Sequence, residues 1–138
     1  MKREGCLPFR AARGCVSWRD GLWVAYALGV LVLSLLPSRS FRSVPALFVH
    51  EDKIAHVLLY AGLAAVLVWA RSEGGRLLRG LAWRSGVVGI VAGYGVLMEL
   101  LQAVCCPGDR MLSVGDMTAN AAGALLAVTV LWRKWGTA

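Results

Sequence analysis

Charge is scarce in this 138-residue chain: 15 basic and 8 acidic side chains make 17% of it, against 58% hydrophobic residues. An ordinary soluble domain carries roughly 25% charged and 45–50% apolar residues. So few charges cannot cover the surface of a water-soluble single domain, and that class is excluded. Acidic residues are the scarcer sign, leaving a formal charge of +7. The basic residues fall in clumps between apolar runs and form no continuous basic stripe, so no nucleic-acid partner is assigned. Cysteine is sparse too: positions 6, 15, 105 and 106 give no CxxC pair and no Cys/His spacing of the zinc type. Vicinal Cys105 and Cys106 would strain to pair with each other, so the thiols are read as incidental. No internal repeat, low-complexity tract or Pro- and Ser-rich linker divides the chain.

What is present is apolar sequence in four blocks, Leu22–Leu36, Ile54–Ala70, Gly86–Val104 and Met117–Trp132, each bounded by charge, Gly or Pro. At about 1.5 Å of rise per residue these runs cover roughly 22–29 Å, near the short end of what crosses a hydrocarbon core of about 30 Å. All six tryptophans (Trp18, Trp23, Trp69, Trp83, Trp132 and Trp135) stand near run ends, where indole rings favour the headgroup level. The expected fold is therefore all-α: a polytopic membrane protein, a compact bundle of four transmembrane helices at about 21–37, 54–70, 84–104 and 117–133. Residues 21–135 form the membrane domain, and residues 1–20 are expected to be a disordered basic leader. The first run also has the outline of a secretory signal, but Pro37-Ser38-Arg39-Ser40 follows Leu36 without a small-x-small cleavage pattern, which favours an uncleaved helix.

Orientation follows from the loops. Lys2, Arg3, Arg10, Arg13, Arg19, Arg71, Arg76, Arg79, Arg84, Arg133 and Lys134 fall on one side, and Arg39, Arg42, Lys53 and Arg110 on the other. Eleven against four places both termini in the cytoplasm by the positive-inside rule. Gly89 and Gly93 form a GxxxG step in the third run, and Ala119, Ala121, Ala122, Gly123 and Ala124 open the fourth. Small residues let helices approach closely in lipid. Packing within the bundle is the first reading of both, and a homodimer through GxxxG the second.

Polar groups inside or at the rim of the runs are the informative ones, since a charge at bilayer depth is costly and faces protein or water. The second run opens with Asp52, Lys53 and His56, with Tyr60 one turn deeper, all on one broad helix face. The third ends with Glu99 and Gln102 at i,i+3. Arg110 precedes the fourth, in which Asp116 and Asn120 align at i,i+4. The alternating direction of the helices brings these nine residues to one extracytoplasmic rim. Taken singly, Asp52 and Asp116 read as helix-start carboxylates, His56 and Tyr60 as packing residues, and Lys53 and Arg110 as snorkelling cations. Glu99 lies within an apolar run, where an ionised carboxylate needs a partner.

The ordered pattern Asp52-Lys53-x-x-His56-x-x-x-Tyr60, Glu99-x-x-Gln102, Pro107-Gly108-Asp109-Arg110, Asp116-x-x-x-Asn120-x-x-Gly123 resembles the VanZ-like family of small bacterial membrane proteins. The resemblance covers about residues 50–127. It departs in a Gln102–Arg110 interval longer than usual and in Ala127, where members often show a second glycine. The family takes its name from a protein associated with teicoplanin resistance. The resemblance implies a four-helix membrane fold in the bacterial cytoplasmic membrane and a cell-envelope context, and hands over no reaction.

Two functions are expected to compete. In the first, the rim binds or processes an anionic lipid-linked or cell-wall precursor. Lys53 and Arg110 hold phosphate or carboxylate, Tyr60, Gln102, Asp116 and Asn120 complete the ligand site, and His56 oriented by Asp52 acts as base with Glu99 as acid. In the second, the protein is a non-catalytic membrane factor whose polar cluster locks the bundle. Proton or ion movement has no continuous path, because the cytoplasmic halves of the runs lack titratable groups. No cofactor and no metal ligand are assigned, since His50 and His56 are six apart and cannot face together on one straight helix. Membrane lipids are the remaining partner. The charge count predicts that a fluorescent protein fused to the C-terminus fluoresces while alkaline phosphatase at the same place stays inactive. The opposite pair of results would reverse the orientation.

Overall fold

In an apolar surrounding a helix satisfies its backbone within the segment, so a long apolar run has little other choice of structure. The computed structural model describes residues 18–36, 51–71, 80–106, 108 and 112–136. Among them the chain forms four helices: α1 (Trp18–Leu35), α2 (Glu51–Arg71), α3 (Leu81–Cys105) and α4 (Val114–Leu131). All four are long and apolar enough to cross a membrane. A wider π-helical turn, Trp132–Gly136, extends α4. Residues 1–17 of the expected leader, and with them His50, Asp109 and Arg110, lie outside the described residues.

All four helices begin before their apolar runs. α1 starts at Trp18 rather than near 21, so residues 18–20 of the expected leader are helical. α2 starts at Glu51 rather than near 54, and α4 at Val114 rather than near 117. Glu51, Asp52 and Asp116 occupy first turns, where carboxylates meet the positive end of the helix dipole. α3 starts at Leu81, so that Trp83 and Arg84 are helical as well.

The bundle is all-α and runs up and down. Tyr60, Leu63, Ala64 and Val68 of α2 form its centre with Val30, Val87, Val91, Ala124 and Val128. Leu28, Val32, Leu58, Ile90, Leu100 and Leu125 stand exposed on the outer faces. Such a distribution suits a lipid surrounding, where an outward Leu costs nothing and association relies on close packing. The most extensive pairing is between the parallel helices α2 and α4. It uses Ala119, Gly123 and Ala127, one per turn of α4 and all buried. A Cβ added at Gly123 would overlap the Val57 carbonyl oxygen of α2. Gly62 of α2 is needed for the same reason, since a Cβ there would run into the Tyr26 hydroxyl, which donates to the Leu59 carbonyl at 3.2 Å. Tyr94 ties α3 to α1 by donating to the Ala27 carbonyl at 2.6 Å.

The small residues of α3 do something else. Gly86, Gly89 and Gly93 have nothing within 4 Å of where a Cβ would sit. The GxxxG step therefore does not pack inside the bundle, a correction to the first reading of α3; only the stripe on α4 does so.

Aromatic and cationic groups join the helices at the end formed by the start of α1 and the end of α2. Arg71 Nε lies 3.2 Å from Asp20 Oδ1, Trp18 meets Trp69 edge to face at 5.4 Å, and the Arg19 guanidinium sits 4.8 Å from the Trp69 ring centroid. Arg84 stacks over Trp132 at 4.3 Å, linking the start of α3 to the end of α4. The close approach at Gly123 is testable. Gly123→Ala overpacks the α2–α4 contact and should cost about 1–3 kcal/mol, read as thermal unfolding in detergent. Gly89→Ala, in open space, should be neutral or mildly stabilising.

Candidate functional site

The opposite end, built from the N-termini of α2 and α4 and the C-termini of α1 and α3, carries the polar residues. Its geometry begins with Ser113. This residue is extended (φ −116, ψ 109), and its side-chain oxygen accepts from the Asp116 backbone N–H at 3.2 Å, capping α4. Because the hydroxyl performs the capping, the Asp116 carboxylate is left to reach sideways. Its Oδ1 lies 3.2 Å from Lys53 Nζ, and its Oδ2 lies 4.0 Å from His56 Nε2. The Lys53 ammonium also sits 3.6 Å from Asp52 Oδ2. With Lys53 and Asp52 largely in contact with the surroundings, screening leaves the pairs of Lys53 little weight in stability. Their effect is to set direction. Gly115 leaves the space through which Lys53 passes, since a Cβ there would stand 3.2 Å from Nζ.

Deeper in, His56 Nδ1 lies 2.9 Å from Asn120 Oδ1. Asn120 is fully buried and occupies the gap opposite Gly95, where a Cβ would come within 2.8 Å of the amide nitrogen. Glu99 is 1% exposed, and its Oε2 accepts from the Ser113 backbone N–H at 3.2 Å, docking the start of α4 on α3. Tyr60 lies one turn below His56, its ring stacked on the imidazole at 6.3 Å between centroids and tilted against Tyr94 at 6.4 Å. The Tyr60 hydroxyl and the Asn120 amide nitrogen are buried with no hydrogen-bond partner among the described residues. A buried donor left unmade costs about 1–3 kcal/mol.

Of the nine residues read from the sequence, His56, Glu99, Asp116 and Asn120 converge, with Lys53 beside Asp116 and Tyr60 beneath His56. Asp52 is largely exposed and faces Lys53; the contacts of His56 are with Asn120 and Asp116, which take the orienting place expected of Asp52. Gln102 is buried but donates to the Ser34 carbonyl at 2.8 Å, fastening α3 to the end of α1. Arg110 lies outside the described residues. Sequence reasoning missed Ser113 as cap and donor to Glu99, and Gly95 as the space for Asn120. The Ser-x-x-Asp spacing at 113–116 is the capping signal that was available.

Comparison of the chain with protein-family models, with curated proteins and with solved structures found no match. The site therefore rests on its own chemistry: a ring nitrogen, two carboxylates, an ammonium and two unpartnered donors at one helix-end rim. If Asn120 is held by the space at Gly95, then Gly95→Ala displaces the amide from His56 and should cost about 1–3 kcal/mol of thermal stability. It should also shift the His56 ring resonances in an NMR spectrum. Gly93→Ala, two residues away and so on the opposite side of α3 with open space around it, should leave both unchanged.

Proposed function

We propose that this chain is a multi-pass protein of the bacterial cytoplasmic membrane, related to the VanZ-like family, with both termini cytoplasmic. In this reading its outer rim holds the headgroup of an anionic lipid-linked or cell-wall precursor. Eleven of the fifteen basic residues on the side of the Arg71–Arg84 loop and the termini support the orientation. With that orientation, the rim of His56, Glu99 and Asp116 faces the outer leaflet at headgroup depth. The observation that carries the reading is the convergence of those three groups from three different helices, with buried donors on Tyr60 and Asn120 still to be satisfied.

In this reading Lys53 and Arg110 draw the phosphate or carboxylate of the headgroup by charge-assisted hydrogen bonds. Tyr60 and Asn120 donate to its oxygens and fix its orientation. Should the bound group react, His56 is placed to take a proton and Glu99 to return one. Glycopeptide tolerance is the phenotype that the family resemblance attaches to such a site.

A second reading, a non-catalytic envelope factor whose cluster only locks the helices, is favoured by the direct ties Lys53–Asp116, Ser113–Glu99 and Gln102–Ser34. The neutral variants His56→Asn, Glu99→Gln and Asp116→Asn separate the two. Each is expected to weaken binding of a polyprenyl phosphate in detergent by at least about tenfold, a loss of about 1.4 kcal/mol. Teicoplanin tolerance of an expressing strain should fall alongside, with the melting temperature held within a few degrees. Melting temperatures that fall in step with the phenotype establish the lock and remove the headgroup reading.

A further inference from the structure

Three side chains on the polar rim bring one ring nitrogen and two carboxylates together from three helices, each held by a supporting contact. His56 comes from α2, Glu99 from α3 and Asp116 from α4, and one donor atom of each lies within 4.8 Å of the other two. Each is held from behind. Asn120 Oδ1 can only accept, so the 2.9 Å contact places a ring proton of His56 on Nδ1 and turns Nε2 toward the triad. Nε2 faces Asp116 Oδ2 at 4.0 Å, beyond hydrogen-bond length. The other oxygen of Asp116 is held by Lys53 at 3.2 Å, and Glu99 is held by the Ser113 N–H at 3.2 Å. A histidine whose second ring nitrogen donates to a fixed acceptor, beside carboxylates that are themselves hydrogen-bonded, is how proteins orient metal ligands.

We propose that His56, Glu99 and Asp116 bind one divalent transition cation, with one nitrogen and two carboxylate donors of the kind suited to Zn²⁺ or Mn²⁺. Donor atoms about 2.0–2.2 Å from a metal stand roughly 3–4 Å apart, so side-chain adjustments of about 1 Å close the site. Three protein ligands leave coordination positions open. Two buried donors without partners among the described residues adjoin His56: the Asn120 amide nitrogen, on the same side chain that orients the ring, and the hydroxyl of Tyr60, whose ring stacks on the imidazole.

The inference rests on the reading of this rim as a ligand site. A divalent ion bound to the triad would add positive charge where Glu99 and Asp116 meet, next to Lys53, and so strengthen the hold on a phosphate or carboxylate.

The test uses the full chain in detergent, stripped with chelator and titrated with Zn²⁺ or Mn²⁺ by calorimetry. The expected result is one equivalent bound, on the order of 100-fold weaker in His56→Asn, Glu99→Gln and Asp116→Asn, and about 10–100-fold weaker in Asn120→Leu, which removes the support of His56 and no triad ligand. Asp52→Asn, outside the triad, should change affinity by less than threefold. Equal losses in Asp52→Asn and Asp116→Asn, or no stoichiometric binding by the wild type, overturn the proposal. Cobalt substitution of the wild type provides a readout that needs no variant: visible d–d bands that report a nitrogen ligand support the site, and the spectrum of the hexaaqua ion overturns it. Polyprenyl phosphate binding is then measured with and without the metal. Binding that ignores the metal leaves the headgroup reading standing without this one, and metal binding without headgroup binding does the reverse.

Discussion

The close parallel contact of α2 with α4 is the constraint on which the rest depends. Gly123 presses against the backbone of Val57, and no side chain fits between them. Above that contact the two helices stay in step: Lys53 meets Asp116 across 63 residues of sequence and His56 meets Asn120 across 64. The offsets are nearly constant because the helices run in the same direction at short range, and a parallel pair keeps its register along its length. If this pair spread by the width of one methyl group, contacts of 2.9–3.2 Å at the rim would pass beyond hydrogen-bond length. The polar site thus inherits its geometry from an apolar contact within about one turn of it.

The two ends of the bundle are built on different physics. At one, tryptophans and arginines stack loosely, as Arg19 does on Trp69 and Arg84 on Trp132. Such contacts contribute about 0.5–1 kcal/mol where exposed and tolerate rotation. At the other, short directional contacts draw on all four helices: α1 through the Ser34 carbonyl, α2 through Lys53 and His56, α3 through Glu99 and Gln102, and α4 through Asp116 and Asn120. The first arrangement suits anchoring at an interface, whereas the second fixes atoms in place.

The fold was legible because the signal is length. Runs of 15 or more apolar residues bounded by charge leave a helix as the only way to satisfy the backbone, and the four helices lie where those runs lie. The starts were misread by three residues or so at Glu51 and Val114, because an apolar run marks the lipid-facing stretch while the helix continues into charged first turns. The site was legible as a set of residues but not as a set of partners. Spacing along one helix shows that Lys53, His56 and Tyr60 share a face, yet it cannot show that Asn120 rather than Asp52 orients His56, because that pairing depends on the α2–α4 register. The same limit hid the metal-type triad: counting histidines along α2 finds a single ligand, and the other two arrive from α3 and α4. Gly89 and Gly93 show the converse, a strong local pattern for close packing whose face the bundle leaves uncovered.

Whether the rim is a lock or a site turns on its unpaired donors. A lock is stabilised by every hydrogen bond it makes and destabilised by every polar group it buries without one. Here the Tyr60 hydroxyl and the Asn120 amide nitrogen are both buried with no hydrogen-bond partner among the described residues. Together they cost on the order of 2–6 kcal/mol, which the ties Ser113–Glu99 and Gln102–Ser34 have to offset before the rim stabilises anything. A Phe at 60 and a Leu at 120 would hold the same helices without that cost. Tyr60 and Asn120 also stand at the same place, one beneath His56 and the other bonded to it, beside the two carboxylates. Trp23 Nε1, Trp83 Nε1 and Arg84 Nε, toward the other end of the bundle, are also buried without partners among the described residues; Tyr60 and Asn120 differ in adjoining a ring nitrogen and two carboxylates that converge from three helices, the pattern of a site whose remaining partner comes from outside the chain.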